Sequence, residues 1–185
     1  MVEINSDKAV FLDRDGVINR SITKSGKPVA PQNLSELFIL PGVVKSIKAM
    51  HEANLTTIVV TNQPDVAKGI MSIDQVYEIN HMISQATGIT HFYICTHDEE
   101  ENCSCRKPKP GLILDSSQEL GVNPSGSYLI GDRWRDIEAG QEVGCQCFFI
   151  DYSYKEKRPR KPFTRVESLL EATEHILKDL GRKNG

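Results

Sequence analysis

What most constrains the fold of this chain is an alternation. Short apolar runs rich in Val, Ile, Phe and Tyr occupy 8–12, 55–61 (LTTIVVT), 90–95 (THFYIC), 127–131 (SYLIG) and 146–150 (QCFFI). Stretches with helical periodicity lie between them, at 42–53, 72–87, 111–120 and 134–143, and one more follows near 165–180. Continuous apolar runs of this length read as strands covered on both faces, and strands alternating with helices build βαβ units. The expected fold is α/β: a doubly wound parallel sheet in one domain over 1–185. Ser72 and Gln75 have capping-box spacing, Pro110 suits the first turn of a helix, and Gly121 and Gly140 stand where terminal glycines belong. Segment 19–41 carries three prolines and little periodicity, so it reads as an ordered loop or flap. The basic stretch 155–162, KEKRPRKP, reads as a solvated connection into the last helix.

Composition removes several function classes. The chain has 185 residues with 39% apolar and 25% charged content, as in ordinary soluble domains. A net charge of -3 gives no electrostatic case for nucleic acid or a membrane surface. No run approaches the roughly 20 apolar residues of a spanning helix. The start, MVEINSDKAV, lacks the basic and apolar regions of a signal peptide, so a cytoplasmic location and a monomer are expected. Five cysteines, an odd number, argue against a disulfide framework.

The chemistry gathers where the strands end. Ligand sites in open α/β sheets lie outside the carboxyl ends of the strands. The first strand ends in DRDG, delivering Asp13 and Asp15; the second ends in TNQ, giving Thr61, Asn62 and Gln63. The fourth ends in GDRWRD, with Asp132, Arg133 and Asp136, and the third leads into CRKPKPG, with Arg106, Lys107 and Lys109. Asp13 and Asp15 repel each other unless a cation offsets them, and carboxylates near a hydroxyl suit Mg²⁺. The cations at the rim call for an anionic substrate, and a phosphate satisfies both. A carboxylate can attack phosphorus to form an aspartyl-phosphate while a second one shuttles the proton.

DRDG, the threonine of VVTNQ, the lysine of CRKPKPG and GDRWRD together resemble the four motifs of the haloacid dehalogenase (HAD) superfamily. The resemblance runs from about residue 8 to 152. It is strongest to the branch holding the D-glycero-D-manno-heptose 1,7-bisphosphate 7-phosphatases and the histidinol-phosphatases. It implies a HAD-like Rossmannoid domain with Asp13 as nucleophile and Asp15 as general acid/base. Thr61 and Lys107 would hold the phosphoryl group, with Asn62, Gln63, Arg106 and Arg133 contributing to substrate binding. Asp13, the Asp15 carbonyl and Asp132 would bind Mg²⁺. Where the heptose phosphatases carry a lysine, this chain has Arg133, which keeps the charge but changes the donor geometry. Neither 16–41 nor 62–90 has room for a separate cap domain, so an open site for a small phosphorylated sugar is expected. A heptose bisphosphate is the first choice and histidinol phosphate the second.

Cys95, His97, Cys103 and Cys105 form C-x-H-x5-C-x-C, which matches a closed tetrahedral structural zinc site. The HAD branch named above has zinc in this loop. Cys145 and Cys147 fall at or in a strand, where cysteine acts as a small apolar residue. Trp134 reads as packing. The rival from another class is a zinc-binding interaction module without catalysis, for which Asp13, Asp15 and Asp132 would be superfluous.

Overall fold

The computed structural model describes residues 7–183. The expectation about residues 1–6 lies outside them. The chain order is β1 (Ala9–Leu12), β2 (Ile22–Lys24), β3 (Lys27–Val29), α1 (Val43–Glu52), β4 (Thr56–Asn62), α2 (Ile73–Thr87) and β5 (His91–Cys95). There follow α3 (Gly111–Leu120), β6 (Tyr128–Gly131), α4 (Trp134–Glu142), β7 (Gln146–Ile150), β8 (Thr164–Val166) and α5 (Leu169–Lys183). Six strands form one sheet in the order β5-β4-β1-β6-β7-β8, and every pairing in it is parallel.

Alternation along β1 shows why both faces are covered. Val10 and Leu12 join the layer of α1, α2 and α5 with Ile47, Met50, Ile79, Ile83 and Ile176. Ala9 and Phe11 join the opposite layer with Leu112, Ile113 and Ile137 of α3 and α4. The central strands β1 and β6 therefore bury both side-chain sets, which is the physical content of a doubly wound sheet. The Ser72–Gln75 capping box is present at the start of α2, and Gly121 ends α3 at φ 65°.

Three expectations need correction. Gly140 lies inside α4, and Gly144 is the residue at positive φ beyond it. Gly140 serves packing: a Cβ there would stand 2.9 Å from Cys147 Sγ and 3.0 Å from Leu129, so its absence lets α4 approach the sheet. The final helix begins at Leu169 because Thr164–Val166 pairs with β7 as an edge strand. The 19–41 segment holds an antiparallel hairpin, β2–β3, whose turn residues Ser25 and Gly26 both have positive φ, as two-residue hairpin turns require. This hairpin is the only strand structure in the first insertion point among the described residues, and no cap domain accompanies it.

Candidate active site

The strand order reverses direction between β1 and β6, and their carboxyl ends open a crevice at that switch point. A cleft of about 690 Å³ lies there. Asp13 and Asp15 follow β1, Asn62 and Gln63 close β4, and Asp136 opens α4 after β6; all of them line it.

Lys107 ties the centre together. Its Nζ donates to Asp13 Oδ1 at 2.7 Å, to the Val60 carbonyl at 2.7 Å, and pairs with Asp136 Oδ1 at 2.6 Å. Its side chain is 3% exposed. Burial alone would strip the proton from such a lysine, but Asp13 and Asp136 outweigh it and raise the pKa above the ordinary value. Asn62 holds the Lys107 backbone at both ends: its Oδ1 accepts from Lys107 N and its Nδ2 donates to Lys107 O, each at 3.1 Å.

Asp15 is held by different partners. Arg14 donates from Nε and Nη2, Asn19 from Nδ2 at 2.9 Å and Gln63 from Nε2 at 2.7 Å. Arg14, fully buried, also reaches Asn80 of α2 at 3.0 Å. The repulsion between Asp13 and Asp15 is thus offset first by the protein itself, through Lys107 on one side and Arg14 on the other. Gln63 is 1% exposed and bridges Asp15 to Thr61 Oγ1. Thr61, equally buried, sits beneath the cleft wall rather than in it.

Electrostatic strain remains. Burial pushes the Asp13 carboxyl up to about 7 against the pull of Lys107, and the Asp136 and Asp15 charges add to the rise. Asp132 is raised well above the carboxylate range by burial, then by Asp13 and Asp136. Its Oδ1 is buried with no hydrogen-bond partner. Asp13, Asp132 and Asp136 each bring a carboxylate oxygen within 4.8 Å of the others. Asp13, Asp132 and Asp136 thus converge around the single cation of Lys107, Arg14 is taken up by Asp15, and one Asp132 oxygen is buried without a partner. This donor set fits a hard divalent cation.

The second cluster is sulfur-rich. Cys95 Sγ stands 3.6 Å from His97 Nδ1 and 3.7 Å from Cys103 Sγ; Cys105 Sγ is 3.3 Å from His97 Nδ1 and 3.4 Å from Cys103 Sγ. A tetrahedron with ordinary zinc–ligand lengths has edges of roughly 3.8 Å between sulfurs and about 3.5 Å between sulfur and nitrogen. The four side chains fit zinc. Cys145 and Cys147 stand apart in the packing layer of α3 and α4, and burial pushes the Cys147 thiol to about 12.

Arg106 lines the cleft, donates to the His97 carbonyl at 3.1 Å, and its buried Nε has no partner. Arg133 also lines the cleft, with its guanidinium on the Glu156 carboxylate. Several cleft residues were not legible. Trp134 lines it, with Lys157 Nζ 4.0 Å above its ring, so its expected packing role is corrected. Lys155 and Glu156 also line it, so the stretch 155–162 is not simply a solvated connection. Tyr152 and Tyr154, just before, reach inward to Gly16 and Asp132. Their signal was an aromatic pair, YSY, set in a polar stretch directly after a strand's carboxyl end.

Residues 104–180 match the HAD-hydrolase-like family model. A D-glycero-beta-D-manno-heptose-1,7-bisphosphate 7-phosphatase of Bordetella bronchiseptica is 30% identical over 148 residues, covering 77% of this chain and 80% of its own. A D-glycero-alpha-D-manno-heptose-1,7-bisphosphate 7-phosphatase of Mycobacterium tuberculosis is 36% identical over 143 residues, 72% of each chain. The crystal structure of a D,D-heptose 1,7-bisphosphate phosphatase from B. bronchiseptica, complexed with magnesium and phosphate, superposes with a TM-score of 0.82 at 25% identity. It covers 93% of this chain and 99% of that one.

Proposed function

The chain belongs to the D-glycero-D-manno-heptose-1,7-bisphosphate 7-phosphatase family of HAD-like hydrolases, and from that premise we propose that it removes the 7-phosphate of D-glycero-D-manno-heptose 1,7-bisphosphate. It is a phosphoric monoester hydrolase. The observation that carries the phosphatase chemistry is the convergence of Asp13 and Asp132 at the switch point, beneath an open cleft and with one Asp132 oxygen buried and unpartnered, while the choice of substrate follows the named relatives.

In this reading Asp13 is the nucleophile. Lys107 occupies its Oδ1, which leaves the other carboxylate oxygen to attack phosphorus as the bond to the sugar oxygen breaks. Asp15, held by Arg14, Asn19 and Gln63, gives a proton to the departing alkoxide. It then takes one from the water that attacks the aspartyl-phosphate, releasing inorganic phosphate and restoring Asp13. Asp13, the Asp15 carbonyl and Asp132 would hold Mg²⁺, which would supply positive charge to the phosphoryl oxygens and to these carboxylates. Arg106, with its unpartnered Nε, meets the anionic substrate at the cleft wall, and Arg133 and Asn62 border it.

We assign Cys95, His97, Cys103 and Cys105 to structural zinc. Lys107 follows Cys105 by two residues, so zinc fixes the segment that carries the central cation. A reducing compartment such as the cytoplasm suits three cysteines that serve as zinc ligands and two that are buried in the core. No helix of the described residues is long and apolar enough to cross a membrane.

The test is a comparison of kcat/KM for both anomers of the heptose bisphosphate and for histidinol phosphate, with Mg²⁺ present. The expected preference for the heptose bisphosphate is about 100-fold or more, because a site shaped to a second phosphate leaves its cations unpaired with the wrong ligand. Equal or reversed preference removes the heptose assignment and keeps the phosphatase.

A further inference from the structure

After β7 the chain does not leave the site. Residues 151–157 cross back over it as a strap. The Tyr152 hydroxyl donates to the Gly16 carbonyl at 3.0 Å, and the Tyr154 hydroxyl donates to Asp132 Oδ2 at 2.9 Å. The two rings lie 5.6 Å apart, centroid to centroid. Lys155 N donates to the Gly26 carbonyl at 3.0 Å, fastening the strap to the β2–β3 hairpin. Glu156 takes the Arg133 guanidinium and Lys157 pairs with Glu138 of α4.

Asp132 is the side chain in most need of help. It is 1% exposed, and its Oδ1 has no partner. Among the described residues the Tyr154 hydroxyl is the one hydrogen-bond donor to its carboxylate. The Tyr154 tether at Oδ2 accompanies a rotational state in which Asp132 brings one carboxylate oxygen within 4.8 Å of carboxylate oxygens of Asp13 and Asp136. Groups that fix a metal ligand's orientation in this way also set the metal's affinity. Gly16 leaves the room for that state, since a Cβ on it would overlap the Asp132 carboxylate.

We propose that Tyr154 is a positioning residue for the divalent cation: its hydroxyl holds the Asp132 carboxylate in place beside Asp13, so the strap is part of the active site. This rests on the Mg²⁺ reading above. The competing role for Tyr154 is to anchor the strap, with no consequence for the metal.

Titration of Mg²⁺ alone by calorimetry, with zinc retained, separates the two. The proteins compared are the unsubstituted chain, Tyr154→Phe, Tyr152→Phe and Asp132→Asn. Tyr154→Phe keeps the ring and removes the donor, so its Mg²⁺ affinity falls by about 10–100-fold. Its circular dichroism spectrum stays unchanged, and kcat recovers at high Mg²⁺ with KM for substrate unchanged. Tyr152→Phe loosens the strap without touching Asp132 and keeps its Mg²⁺ affinity. Tyr154→Phe binding Mg²⁺ as tightly as the unsubstituted chain, while Asp132→Asn does not bind, overturns the proposal alone. Equal weakening in both tyrosine variants also overturns it, in favour of the anchor. Failure of the unsubstituted chain to bind Mg²⁺, or full binding by Asp132→Asn, overturns the proposal together with the reading beneath it.

Discussion

Asp13 must be an anion to attack phosphorus, yet burial raises its carboxyl to about 7 and Asp136 and Asp15 push the same way. The conflict yields a pH signature. Its folded pKa lies above the unfolded value of 3.8, so the stability it contributes is complete below that value and is lost as pH rises through about 7. Asp132 is shifted in the same direction. In Mg²⁺-free buffer that leaves zinc in place, the melting temperature should therefore fall between pH 5 and 8. Added Mg²⁺ should restore more of it at pH 8 than at pH 5, because binding displaces protons. A Mg²⁺ effect that is flat with pH would contradict the charge balance drawn for the cluster. Asp13→Asn should lower phosphate release by at least about 10³-fold with the circular dichroism spectrum unchanged. Measurable turnover near the unsubstituted level would remove Asp13 as nucleophile. The nucleophile and its neighbours were legible because the motif residues sit at strand ends. Arg14, Asn80 and Tyr154 were not: their partners come from 66 and 22 residues away in sequence, a proximity that only packing creates.

At the scale of elements, the sheet order places β1 beside β6, and this adjacency turns residues some 120 apart into one cation site. The five apolar runs were readable because four of them are largely buried on both faces and the fifth, β5, is at least half-buried throughout. β8 was not, since three residues at a sheet edge leave no period to detect. The β2–β3 hairpin was readable in principle from the Ser25-Gly26 pair, but three prolines nearby masked it. The zinc loop has little apolar content of its own, so a metal should account for its order. Cys103→Ser should reduce bound zinc, measured by plasma mass spectrometry, and lower both the melting temperature and kcat. Unchanged zinc content would refute the cluster, while lost zinc with intact kcat would show that the loop does not place Lys107.

For the whole molecule, the absence of a cap domain leaves the hairpin, the zinc loop and the strap to border the cleft. Lys27 and Lys155 line it from the hairpin and the strap, and Arg106 from the zinc loop, interspersed with the acidic Asp65, Asp98, Glu99, Glu100 and Glu156. With one phosphate of a bisphosphate at Asp13, these three cations are rim groups able to meet the other. Raising ionic strength should therefore increase KM for a bisphosphate more than for a monophosphate, and a parallel rise for both would deny the rim that role. The most direct measurement is a ³¹P NMR time course of D-glycero-D-manno-heptose 1,7-bisphosphate with this protein and Mg²⁺. The 7-phosphate signal should disappear as inorganic phosphate grows and the 1-phosphate stays, and with Asp13→Asn neither the loss nor the growth should occur. Loss of the 1-phosphate, or release that persists in Asp13→Asn, would contradict this reading.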